Sequence, residues 1–189
     1  MKIRYNAPTV LCFSLLCFGI FVLCVFLPPL RGLFLVPGGA GFSFGQPVNA
    51  FRLFSHALGH ANWDHLFGNL AFILLLGPIL EEKYGSGRLL LMIGLTALTT
   101  GLMNALLFST ALMGASGVVF MMILLVSITN IRAGEIPLSF ILVALIYVTR
   151  ELLMGMSDDQ IAHSAHLVGG ACGALFGFAA SPGRSCGSR

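Results

Sequence analysis

Between Arg4 and Arg31 the chain runs 26 residues without an Asp, Glu, Lys or Arg, and between Arg88 and Arg132 it runs 43. A helix of about 20 apolar residues crosses the hydrocarbon of a bilayer, so the second run has room for two crossings. Backbone polar groups in lipid must be satisfied within the segment, which makes these runs helical. Only 9% of the 189 residues are charged, against 57% hydrophobic. Soluble domains carry about 25% charged residues, so the chain reads as an all-α polytopic membrane protein. The net charge of +3 is scattered. No basic stripe marks a nucleic-acid partner.

Six spans fit, at about 9–28, 65–81, 89–108, 116–130, 137–153 and 162–180, in a single domain covering 1–189. The second and fifth are short for the hydrocarbon layer, which calls for tilt, local thinning or a helix that continues past its apolar part. Lys2 and Arg4 precede an apolar run too long for a signal peptide's core, with no small-residue cleavage site after it, so the first span is expected to stay attached. Placing both termini in the cytoplasm puts Lys2, Arg4, Lys83, Arg88, Arg132, Arg184 and Arg189 on that side. Arg31, Arg52 and Arg150 fall on the other, and this asymmetry satisfies the positive-inside rule. The compact six-span size points to a bacterial inner membrane. The connection 29–64 then lies outside; it is too apolar for a plain linker and is expected to sit partly in the interface. Cys12, Cys17, Cys24 and Cys172 read as small packing or membrane-facing residues, and Cys186 beside Arg184 as a weak lipidation candidate.

Polar groups inside such spans are costly and are functional suspects by default. His65 and Asn69 are four apart, so on a helix they share a face, with Asn62 or Asp64 as the cap. Their N–H groups could converge on an oxyanion, although an interhelical hydrogen bond without chemistry is the plainer reading of that pair alone. Ser116, within Gly114-Ala115-Ser116-Gly117, opens an apolar run and so stands at a helix N-terminus, where free N–H groups and the helix dipole favour negative charge. Gly114 and Gly117 permit a tight turn and close backbone approach. His166 is followed by Gly169, Gly173 and Gly177, a small-residue face on which another helix can pack closely. A helix seated there would bring its serine to an imidazole able to take and return a proton. No carboxylate in the spans can serve as a third member, since Glu81 falls on the cytoplasmic side and Glu151 at the outer boundary, so a two-member Ser–His device is the simplest proposal. All three sites fall at comparable depth, near the outer side.

His56 and His60 are also four apart and invite a metal or haem reading. No H-E-x-x-H motif is present and no carboxylate faces them from another span, so they read as structural histidines that hydrogen-bond loop backbone and line the pocket, and no metal is expected. His163 could reach water in an outer loop; nothing more is assigned to it.

In their order, His56-x3-His60-x4-His65-x3-Asn69, Glu81-x3-Gly85-Ser86-Gly87, Gly114-Ala115-Ser116-Gly117 and Ala165-His166-x2-Gly169-x3-Gly173 resemble the rhomboid intramembrane serine proteases, over nearly all of 50–180. The resemblance implies a six-transmembrane-helix rhomboid-like bundle with a pocket opening outward. It implies Ser116 as nucleophile, His166 as general base, and oxyanion binding by His65, Asn69 and the Ser116 N–H. It implies no cofactor, and as partners the lipid bilayer and transmembrane protein substrates cut near their outer ends. Two positions depart from the usual pattern. Phe120 stands where a tyrosine often stacks on the histidine, and Phe51-Arg52 where a Trp-Arg pair is common. Two rival readings are a rhomboid-like protein that binds membrane helices without cutting them, and the metal or haem protein already set aside.

Overall fold

The computed structural model describes residues 6–128 and 160–179, with isolated positions between 138 and 149. The expected fifth span therefore lies almost wholly outside the described residues, as do Cys186 and the side chain of His163. The described chain is helical, with one isolated antiparallel bridge between Val36 and Leu112. The helices are α1 (Pro8–Phe26), α2 (Pro47–Ser55), α3 (Trp63–Tyr84), α4 (Ser86–Leu107), α5 (Ser116–Ile128) and α6 (Gln160–Ala179). By length and composition α1, α3 and α4 can cross a membrane, while α5 and residues 164–179 are shorter apolar helices.

The second span is not short. α3 is 22 residues long, because the polar stretch Glu81-Glu82-Lys83 continues the helix past its apolar part. Glu and Lys are good helix formers, and Gly85, at φ 81°, ends the helix in a conformation open to glycine. Glu81 is 5% exposed, and its carboxylate is satisfied by another helix. It accepts from the Thr9 and Val10 N–H groups at 2.9 Å each and from the Ser86 hydroxyl at 2.6 Å. An anion thus sits on the positive end of α1, at a place where backbone donors have no partner within the helix.

The connection between α1 and α3 is folded rather than loose. Pro28–Phe34, Gly39–Gly41 and His56–Leu58 form short 3-10 turns around α2. Arg52 donates to the Gly32 carbonyl at 2.7 Å and to Asn49 Oδ1 at 2.8 Å, and the Ser55 hydroxyl donates to the Leu33 carbonyl at 2.6 Å. Phe51 packs edge-on against Phe34. The Phe51-Arg52 departure therefore keeps both an aromatic contact and a polar staple.

Among the described residues, the closest approach of another backbone to a glycine joins α5 to α6. A Cβ on Gly169 would fall on the Gly117 carbonyl oxygen, one on Gly173 would fall on that of Met121, and one on Gly177 would come within 2.9 Å of the Ile128 side chain. The glycine ladder read from the sequence is the face that α5 occupies. Cys17, Cys24 and Cys172 are buried and Cys12 is exposed, matching the packing and membrane-facing roles.

Candidate active site

Glycine contact places the two candidate reacting groups. Ser116 is the first residue of α5, and Gly117, next in sequence, is where α6 touches down three residues beyond His166. Ser116 and His166 are both half-buried and line one cavity of about 940 Å³. Phe120, one turn after Ser116, lies over the His166 ring with centroids 4.3 Å apart. The phenyl ring thus keeps an aromatic contact with the imidazole, its plane tilted 39° from the ring rather than stacked on it.

The turn before Ser116 is held from outside. Gly114 has φ 133°, a conformation L side chains rarely adopt, and its N–H donates to the His56 carbonyl at 2.9 Å. A Cβ there would meet Cε1 and Nε2 of His65 at 2.5 and 2.7 Å, so the imidazole lies against bare backbone beside the serine turn. Two residues upstream, Leu112 exchanges both backbone hydrogen bonds with Val36. Asn104 donates to the carbonyls of Val36 and Thr110 at 3.3 and 3.1 Å, tying the outer connection to the serine loop.

His65 and Asn69 both line the cavity. Asn62, one of the two expected caps, accepts from the His65 N–H at 2.8 Å and starts α3 there. Asn69 is buried, and its Nδ2 lies 3.1 Å from His60 Nε2. His60 Nδ1 faces the Leu58 carbonyl at 3.3 Å and can only donate to it. Nε2 is then the lone-pair nitrogen and accepts from Asn69. One N–H of Asn69 is fixed in this way, and the other remains for the cavity. His56 follows the same logic. Its Nδ1 donates to the Arg52 carbonyl at 3.2 Å, leaving Nε2 as a lone-pair nitrogen 3.4 Å from Thr100 Oγ1, whose hydroxyl donates to the Thr96 carbonyl at 2.9 Å. Neither histidine lines the cavity: His56 bonds the Arg52 carbonyl of α2, and His60 bonds the Leu58 carbonyl and supports Asn69. Burial holds His56 down at a pKa of about 4. Burial, helped by the neighbouring His65, does the same for His60, also to about 4. Both are neutral near pH 7, and the hydrogen bond that His60 accepts from Asn69 needs that form. Among the described residues no group of three or more His, Cys, Asp or Glu is arranged to hold a metal.

Gly114, Gly117, Gly169 and Gly173 shape the cavity without lining it. The sequence reading passed over Thr96, Thr100 and Asn104, which are all buried. Their spacing of four along α4 was the available signal. It took Asp64 only as a candidate helix cap and passed over Gly68 and Phe72; all three line the cavity on its α3 side.

Fold and cavity together define an integral membrane protein that brings a serine, two histidines and an asparagine from three helices to one cavity. The Rhomboid domain family matches residues 47–183, and the chain belongs to the rhomboid family. It is 26% identical over 136 residues to rhomboid protease GlpG of Haemophilus influenzae, covering 70% of this chain and 71% of that protein. It is 32% identical over 140 residues to the Pectobacterium atrosepticum protein of the same name, covering 71% of this chain and 50% of that one. Against the Klebsiella pneumoniae protein it is 28% identical over 186 residues, covering 93% of this chain and 64% of that one. The chain thus spans between half and about seven-tenths of these relatives' length.

Proposed function

We propose that the protein is an intramembrane serine endopeptidase that cuts transmembrane segments with Ser116 as nucleophile and His166 as general base. The observation that carries this reading is the shared cavity of Ser116, His166, His65 and Asn69, built on the glycine contact between α5 and α6. A neutral His166 takes the Ser116 hydroxyl proton as the serine oxygen bonds to the scissile carbonyl carbon. The resulting oxyanion is held by the Ser116 N–H at the start of α5, by the N–H of Asn69 not used by His60, and by His65. Collapse expels the amine, which takes the proton from His166, and water then hydrolyses the acyl-enzyme with the same imidazole as base. No cofactor enters these steps.

A helical substrate shields its own amides, so it must unwind locally before attack. Small or helix-breaking residues near the cut lower that barrier. The substrate docks against α3 and the fifth span. The bundle has six spans, both termini in the cytoplasm, and sits in a bacterial inner membrane. The test uses purified protein reconstituted with a transmembrane substrate. Wild type cleaves, and Ser116→Ala and His166→Ala do not. Cleavage that persists in Ser116→Ala removes the assignment. Labelling of Ser116 by a fluorophosphonate separates a protease from a relative that only binds helices.

A further inference from the structure

Asp64, Gly68 and Phe72 are spaced four apart on α3 and so share a face. All three are exposed and all three line the cavity. Asp64 is the one acidic residue among the described lining residues, which include no Lys or Arg; the other ionisable groups there are His65 and His166. Among the described residues its carboxylate enters no hydrogen bond or ion pair. One turn further in, a Cβ built on Gly68 meets no described residue within 4 Å, so among the described residues the wall has an open notch there. One turn beyond that, Phe72 presents an exposed apolar ring. A favourable position in the first turn of a helix accounts for an acidic residue, but not for the notch and ring aligned beneath it.

We infer that this wall is a subsite for a Lys or Arg side chain of the substrate. The inference rests on the proteolytic reading. The methylene stem lies across the bare Cα of Gly68 and against Phe72, and the cationic head rises to the Asp64 carboxylate at the cavity mouth. Long basic side chains bury their stems against apolar surface in this way while keeping the charge at the wet edge. A side chain at position 68 would occupy the space the stem needs. The subsite selects transmembrane segments carrying a basic residue close to the point where they unwind.

Six pairs of fluorescent transmembrane peptides test this, the two members of each pair identical except for Lys or Met at one of the three residues on either side of the cut. Binding is measured to Ser116→Ala protein in zwitterionic phosphatidylcholine nanodiscs, where no proteolysis intervenes. At one of those positions the Lys peptide binds about threefold to tenfold tighter than the Met peptide, in line with a partly solvated ion pair. Adding Asp64→Asn brings that ratio to about one, and Gly68→Leu lowers it as well. Equal binding of the two peptides at every position, or a ratio that survives Asp64→Asn, overturns the subsite. The same peptides are then offered to the protein with Ser116 intact. A binding ratio without any cleavage overturns the protease and leaves the subsite standing. Cleavage with no preference at any position overturns the subsite alone.

Discussion

Replacing Gly169 by alanine is a sharp probe of how the α5–α6 contact serves the chemistry. The new methyl would fall on the Gly117 carbonyl oxygen, which belongs to the backbone and cannot rotate away. Non-bonded carbon needs about 3.5 Å, so the helices must part by about 1 Å. Overpacking of this kind costs about 1–3 kcal/mol of stability. The larger consequence is positional. Ser116 precedes the carbonyl that is pushed, and His166 lies three residues before the methyl that pushes it. Misplacement of reacting groups by about 1 Å lowers a rate by about 100-fold. Gly173→Ala makes the same kind of clash with the Met121 carbonyl, but about 6 Å further along the helix axis. Gly177→Ala meets only the Ile128 side chain, which can give way. Thermal stability should therefore fall by similar amounts in the first two variants and least in the third. Single-turnover cleavage should fall most in Gly169→Ala, less in Gly173→Ala and little in Gly177→Ala. Gly169→Ala protein that is as destabilised as Gly173→Ala yet cleaves as fast as wild type would refute the claim that this contact positions the dyad.

Acid should weaken the fold through its loop histidines. The folded pKa values of His56 and His60 are lowered to about 4 from the ordinary 6.5, so the unfolded chain binds more protons between those limits. Stability should be level above pH 6.5 and fall as pH drops from 6.5 towards 4, by about 1.4 kcal/mol per pH unit per histidine. Melting temperatures in detergent across that range check this, and His56→Gln and His60→Gln should each flatten the slope. Glu81→Gln replaces a carboxylate that accepts three hydrogen bonds by an amide with one oxygen, and should cost about 2–3 kcal/mol, read as a lower melting temperature. Asn69→Ala should lower kcat by about 100- to 1,000-fold through loss of an oxyanion donor, with little change in melting temperature beyond the lost bond to His60.

Much of the site was legible because its residues break the local rule. A histidine, an asparagine and a serine inside apolar runs stand out whatever the fold, and the four-residue spacing of His65 and Asn69 fixed a common helix face. The glycines of α6 were readable for the same reason. The stripe Thr96, Thr100, Asn104 was missed because threonines in membrane helices commonly bond their own helix, as Thr96 and Thr100 do here. Asn104 reaches instead to Val36, 68 positions away in the chain, and nothing local announces that contact. Glu81 stands near the end of α3, but its partners Thr9 and Val10 come from a helix some 70 residues earlier, and nothing local announces that contact.

Hydropathy and spacing alone settled that this chain buries helices in lipid and which polar groups those helices carry, since insertion depends on composition summed along a segment. Tertiary packing alone decided which faces meet. The imidazole of His65 lies where Gly114 lacks a side chain, the carbonyl of Gly117 touches Gly169, and His60 holds one N–H of Asn69. Each of these is a contact between elements far apart in sequence, and its energy depends on fit across the gap, which no run of residues specifies by itself.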